Sequence, residues 1–310
     1  FIYCNDPESL PLGIEIKKAF GSRAERVPVI LDAHEYAFEE QGFWWWRLLF
    51  NGMRLDLFKT NLCWIDDMIT VSDGIAREYE KVLGVCPHVV SNASDFWDLT
   101  PSMPEKGRIR MIHHGACIRG RGIEEMIELM ELLDGRFSLD LMLVPSEPRY
   151  YAEISQKVNA FSGIRIVEPV PMDMIVPSIQ KYDIGLYLLN PGNFNNKFAL
   201  PNKFFEFVQA RLCLAIGPSP EMSHLVSQYK LGLVSADFDP ESMASELRKL
   251  NEESILEFKC HSHNAAQTLS SESNLDLLGN IMEEAKARKR QGLSSRFSVA
   301  RFMPERIGIH

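Results

Sequence analysis

Three short stretches concentrate the side chains that could do chemistry. In PNKFFE, residues 201–206, Asn202, Lys203 and Glu206 fall at i, i+1 and i+4 of a helix that opens on Pro201. That spacing gives an otherwise aromatic helix one polar edge, with Phe204, Phe205 and Phe207 covering the remaining sides. A lysine there suits a phosphate, and a carboxylate can accept both hydroxyl hydrogens of a ribose; the alternative is a solvent-facing Lys/Glu pair. In HHGACIRGRGIEEM, residues 113–126, an apolar strand runs through a glycine turn into a helix. The unpaired N–H groups and dipole at such a helix start favour an anion, and Arg119 and Arg121 add fixed positive charge. The turn lacks the order of a dinucleotide fingerprint, and Arg121-Gly122 stand where a P-loop needs Lys then Ser or Thr. An ordinary turn with solvated arginines is the alternative. In VILDAHEY, Asp32, His34 and Glu35 follow a strand, where a histidine can donate, accept or carry a proton near neutral pH.

Weaker signals read as structure. Asp237-Phe238-Asp239 spells DxD, a metal–diphosphate signature elsewhere, but precedes Pro240 and reads as a loop and helix cap. His113-His114 end a strand, one side chain for a cleft and one for packing, whereas His261 and His263 read as surface residues of a late helix.

The elements that must position these residues alternate along the chain. From about Lys106, apolar runs of strand length (IRMIHH, LDLMLV, IRIV, DIGLYLL, LCLAI) are each followed by an amphipathic run of helical length. That alternation predicts βαβ units around a parallel, doubly wound sheet. Residues 1–100 show a shorter version with about four strands, fewer than a complete doubly wound domain carries, so the front of that domain is expected to lie before Phe1. The expected organisation is a partial first domain at 1–100, a second at 101–272, and a helix with an unassigned tail at 273–310. The segment GFWWWRLLFNGMRLDLFK, with Arg47, Arg54 and Lys59, fits a helix lying on a membrane surface or a buried helix with snorkelling arginines.

Composition excludes some classes of function. The chain has 310 residues, 45% of them hydrophobic, and a formal charge of -9, which argues against general nucleic-acid binding but leaves room for a local basic pocket. Its six cysteines are scattered singly without zinc-type spacing, as expected of reduced thiols in a cytoplasmic protein. No apolar run reaches the roughly 20 residues needed to span a bilayer.

Together these stretches resemble the GT-B glycosyltransferases, in particular the glycosyltransferase family 4-like group (glycosyl transferases group 1). The resemblance rests on FIYCNDPESLPLG, LDAHEY, VSDGIAREY, VVSNASD, HHGACIRGRGIEEMIELM and ALPNKFFEFVQARLCLAI, and runs to about Ala285. It implies two Rossmann-like domains facing a cleft, the first incomplete here. It also implies transfer of a hexose-type sugar from a UDP- or GDP-sugar donor to a glycan or lipid-linked acceptor, as in polysaccharide biosynthesis, with retention at the sugar. By the same resemblance Glu206 binds ribose, Arg121 and Lys203 the diphosphate, Gly115 lets backbone approach the phosphates, Arg119 and Asn202 belong to the donor site, and His34 lies near the transferred sugar. Neither metal nor cofactor is implied, since cations and helix termini can stabilise the leaving diphosphate. The enzyme would be cytoplasmic, with peripheral contact at the inner membrane face and no nucleic-acid partner. Phe198 departs from the pattern, standing where many relatives carry a sugar-facing glutamate; Asn193, Asn195 and Asn196 are then candidates for that contact. A non-hydrolysing sugar-nucleotide epimerase and a catalytically silent nucleotide-binding or scaffold protein are the alternative readings.

Overall fold

The computed structural model describes residues 1–37, 44–84 and 86–293, and only the backbone of 44–51. Along these residues run β1 (Ile2–Asn5), α1 (Leu10–Ala19), β2 (Val29–Ala33), α2 (Trp44–Asn61), β3 (Asp67–Thr70), α3 (Asp73–Leu83), β4 (His88–Val89), β5 (Ile109–Ala116), α4 (Ile123–Leu132), β6 (Phe137–Val144), α5 (Pro148–Asn159) and β7 (Ile164–Val167). The chain continues through α6 (Ile175–Ile179), β8 (Ile184–Tyr187), α7 (Phe194–Lys197), α8 (Asn202–Gln209), β9 (Cys213–Ile216), α9 (Pro220–Tyr229), β10 (Gly232–Val234), α10 (Pro240–Leu247), α11 (Glu252–Ala265) and α12 (Ser271–Arg290). They form two compact units, one of Phe1–Ser91, Asn193–Phe198 and the described part of Asn274–His310, the other of Asn92–Gly192 and Ala199–Ser273.

The first unit holds a four-stranded sheet in the order β1-β2-β3-β4, parallel throughout. All five residues of β2 are buried, which is why VILDA reads as a run of apolar residues with a single acid instead of alternating. Ile30 and Ile69 pack against Ile281 of α12. Two acids at the start of β3 tie that helix down: Asp67 accepts from Arg288 at 2.6 Å, and Asp66 pairs with Lys289 at 2.6 Å and Lys17 at 3.4 Å. Buried carboxylates at 3% and 0% exposure need such partners. Residues 193–198 join this unit through aromatic contacts: Phe194 lies 4.9 Å from the Tyr36 ring and 4.8 Å from that of Phe198. A Cβ on Gly74 would fall 2.0 Å from the Phe198 ring, so Gly74 makes room for it.

The second unit holds six parallel strands in the order β10-β9-β8-β5-β6-β7. The chain builds outward from β5 through β6 and β7, then returns to β8 on its other side, so the winding reverses between β5 and β8. In doubly wound sheets the carboxyl ends of the strands at that reversal open a crevice where ligands bind. One face is covered by Ile123, Met126, Leu129, Ile154, Met243 and their neighbours, the other by Val176, Ile179, Phe204, Phe205, Val208 and theirs. Buried Arg211 donates to the carbonyls of Trp97 at 2.5 Å and Leu99 at 3.2 Å, fastening the residues after Asn92 to this unit.

The membrane-surface reading of the tryptophan-rich helix falls partly on the side chains of 44–51, outside the described residues. Of the rest, Arg54 donates to the Ala37 carbonyl at 2.8 Å and reaches Glu8 at 3.3 Å, while Lys59 is exposed. No described helix is long and apolar enough to cross a membrane. The tail beyond residue 293 also lies outside the described residues.

Candidate functional site

At the reversal point, β5 carries His113, His114 and Gly115 near its end, β8 ends on Tyr187, and the first turns of α4 and α8 face the same crevice. α8 forms as its sequence dictates: Pro201 stands just before the first turn in extended conformation, and Phe204 to Gln209 are all buried. Asn202 at its start is exposed. Lys203, one residue on, lies with its ammonium 4.3 Å from the centre of the Tyr187 ring, an attraction that strengthens when the cation is desolvated. Gly115 makes this approach possible. Its φ is +133°, and a Cβ there would stand 3.0 Å from Lys203 Nζ, so an L side chain would meet both backbone strain and the ammonium.

Glu206 is 8% exposed, and its carboxylate lies 3.3 Å from His114 Nε2. His114 also meets the Phe207 ring edge-on at 5.3 Å. Beside it His113 stacks on Tyr187 at 5.8 Å, and its Nδ1–H donates to the Leu186 carbonyl at 3.0 Å. A carbonyl can only accept, so Nδ1 carries the proton and Nε2 is a bare acceptor. That Nε2 and the Tyr187 hydroxyl are both buried without a hydrogen-bond partner among the described residues. Unpaired buried polar atoms cost about 1–3 kcal/mol each, a cost that polar groups of a ligand in this crevice would relieve.

The charges tell the same story. Burial, then the nearby Arg121 cation, pushes Lys203 down to about 7 even though Glu206 pulls the other way. Burial raises Glu206 to about 7 against the attraction of Lys203. His114 is held down to about 3 and His113 well below its ordinary value, in both cases by burial first and Lys203 second. Lys203 has no carboxylate within 4.0 Å among the described residues. A depressed lysine costs stability fully below about pH 7, and the cost is relieved as pH rises toward the unfolded value. A bound dianion would relieve it at neutral pH.

Arg121 precedes Gly122, whose φ of +77° and closeness to the Leu188 carbonyl, 1.7 Å from a built Cβ, admit no larger residue before α4. Arg119 is turned elsewhere: its guanidinium pairs with Glu153 and lies 4.6 Å from the Tyr150 ring. Gly115, Arg121, Lys203 and Glu206 are thus brought together, whereas Arg119 pairs with Glu153 and exposed Asn202 has no hydrogen bond to this cluster among the described residues. Tyr187 is the residue that sequence reasoning missed, its one signal being a tyrosine at the end of the DIGLY strand; for His113-His114 the sequence expected one side chain in a cleft and one in packing.

In the first unit the sequence-marked residues form a cluster of their own. His34 Nε2 lies 2.9 Å from Asn5 Oδ1 and 3.3 Å from Asp32 Oδ2, and Tyr3 donates its hydroxyl to Asp32. Burial and that carboxylate hold the Tyr3 phenol above its ordinary value. Asn195 accepts from the Tyr36 N–H at 2.9 Å and reaches Glu35 at 3.4 Å, while Asn193 caps α7, so both are used within this unit. Asp239 caps α10 by accepting from Glu241 N at 2.8 Å, the role expected of the DxD stretch. Among the described residues no group of three or more His, Cys, Asp or Glu is placed to hold a metal ion.

The sequence matches no protein-family model and no curated protein. Solved structures are similar to it. A TarM variant from S. aureus, in complex with Fondaparinux, alpha-GlcNAc-glycerol and UDP, has 14% identity and a TM-score of 0.66 over 89% of this chain and 53% of its own. Sucrose-phosphate synthase from Thermosynechococcus elongatus has 13% identity and a TM-score of 0.68 over 92% and 73%. HepE of Anabaena in complex with UDP has 11% identity and a TM-score of 0.69 over 92% and 79%. The chain spans about half the length of TarM. These likenesses establish the fold, the GT-B class of α/β architecture with Rossmann-like domains.

Proposed function

We propose that the protein is a glycosyltransferase that takes its sugar from a nucleoside-diphosphate donor held by the second unit. The observation that carries this reading is the unsatisfied cationic crevice, with Lys203 and Arg121 beside Gly115 at the reversal point of a doubly wound sheet and Glu206 on the next turn of the same helix. Lys203 and Arg121 neutralise the diphosphate as it departs, and α4 directs its amino terminus at the same charge. Glu206, as carboxylate, accepts the two ribose hydroxyls. UDP is the favoured nucleotide, since TarM and HepE were solved with it. His34, oriented by Asp32 and Asn5, contacts the transferred sugar. The reaction needs no metal, proceeds with retention, and delivers a hexose to a glycan or lipid-linked acceptor, with peripheral membrane contact through the first unit and a cytoplasmic location.

The test is turnover of UDP-sugars, with water or oligosaccharides as acceptor. Release of UDP by the wild-type chain, lowered at least about 100-fold in both Lys203→Ala and Glu206→Ala, is the expected result. A second reading, a silent nucleotide binder, is favoured by Phe198, whose ring is packed on Gly74 and Phe194 within the first unit. It predicts UDP binding without release from any UDP-sugar, and that outcome would overturn the transferase assignment. An epimerised donor in the absence of acceptor would point to the epimerase instead.

A further inference from the structure

The amino-terminal edge of the second unit's sheet carries side chains that its interior does not explain. On β5 and β6 the inward positions toward α6 and α8 are apolar at Ile112 and Met142, but nearer the strand starts they become Arg110, Ser138 and Asp140. Sheets buried on both faces are apolar along their length, so this is a polar notch cut into a face that packing alone would fill. With Arg108, Arg165, Lys181 and Tyr182 it forms a cavity of about 340 Å³, within the lower range of small-ligand pockets.

Asp140 in its wall and buried Asp183 behind it hold two of the arginines in place. Arg165 spends Nε and Nη2 on Asp140, both at 2.7 Å, and Tyr182 donates its hydroxyl to the same carboxylate. Arg110 spends Nε and Nη2 on Asp183 at 3.3 and 3.4 Å, and buried Lys259 lies 3.8 Å from that carboxylate. Each guanidinium keeps Nη1, for which no acceptor stands among the described residues. Arg108 makes a long, exposed pair with Glu105 at 3.8 Å, and exposed Lys181, which has no salt-bridge partner among the described residues, lies over the Tyr182 ring, 5.4 Å away. Cations exceed acids here in a protein whose overall charge is -9.

We infer that this cavity is a second anion site, taking a small phosphorylated ligand of the phosphomonoester or diphosphate class. Planar guanidiniums fixed by carboxylates on one edge present the other edge already oriented, which suits phosphate oxygens. The volume admits a sugar-phosphate-sized molecule and not a folded partner. On β5 the cavity residue Arg110 and Gly115 stand five residues apart, so the two sites lie about 17 Å apart at opposite strand ends of one sheet. The second is therefore a place for a regulator or an accessory phosphate group, independent of the donor crevice.

Calorimetric titration of inorganic pyrophosphate into the full chain at constant ionic strength tests this, using Lys203→Ala throughout so that the donor crevice is disabled. Pyrophosphate is expected to bind that variant and to bind at least about tenfold more weakly once Arg108→Ala and Lys181→Ala are added. Both added changes are at exposed residues, so an unchanged melting temperature verifies folding. Absence of pyrophosphate binding to the Lys203→Ala chain, or binding that Arg108 and Lys181 do not affect, would overturn the assignment.

Discussion

Two polar clusters sit at strand ends in this molecule, one in each unit, and they differ in how well they satisfy themselves. In the first, Tyr3, Asp32, His34 and Asn5 pair with one another. In the second, Lys203 and Arg121 stand together with no carboxylate within salt-bridge distance among the described residues, His113 Nε2 and the Tyr187 hydroxyl lack hydrogen-bond partners there, and the lysine and glutamate are both pushed to about 7. Buried networks are costly when half-satisfied. The satisfied cluster is complete as it stands and orients a histidine, whereas the unsatisfied one would be completed by an anion. On the proposed function, the nucleotide goes to the cluster with missing partners; residue types alone would not choose, since both clusters contain histidine and carboxylate.

Filling the space at Gly115 should break the comparison on the side of the second cluster. Gly115→Ala places a methyl group 3.0 Å from Lys203 Nζ at a φ of +133°, which should cost about 1–3 kcal/mol of stability and displace the ammonium. UDP affinity is expected to fall at least about tenfold by fluorescence or calorimetric titration; unchanged affinity would remove Gly115 from the site. The smaller effect on binding belongs to the first cluster. His34→Gln keeps a hydrogen-bonding side chain beside Asp32 and Asn5 but cannot carry the proton. UDP affinity should stay within about 0.5 kcal/mol of wild type while sugar release from the donor drops about 100-fold. A His34→Gln variant that lost UDP affinity would show that the two clusters are not separable in this way.

Much of this was legible in the sequence, and unevenly so. The alternation of short apolar and longer amphipathic runs dictates parallel βαβ units, because periodicity is a local property, and the polar edge of PNKFFE follows from helical spacing alone. The partners of that edge were not legible. Tyr187 underlies Lys203 and His114 meets Glu206 only because β8 and β5 are neighbours in the sheet although far apart in the chain. Arg119 reads like Arg121 in the sequence, yet it faces Glu153 of α5, a partner distant in the chain. Within residues 193–198 the three asparagines read as candidates for a contact to the transferred sugar. The aromatic pair and Asn195 instead seat this segment in the first unit, a long-range preference that no local pattern encodes.

The central claim is that Lys203 is held half-discharged in the free protein and is completed by a diphosphate. Calorimetric titration of UDP from pH 6 to 9, in buffers of differing ionisation enthalpy, tests it most directly. Lys203 stands near 7 when the crevice is empty, and a bound diphosphate raises it. Binding above pH 7 must therefore import a proton, and affinity should fall by up to about 1.4 kcal/mol per pH unit. In Lys203→Met the proton uptake should vanish and affinity should drop by about 2–4 kcal/mol, with the fold as stable as wild type or more so. UDP binding that is independent of pH, takes up no proton, and survives unchanged in Lys203→Met would contradict the account.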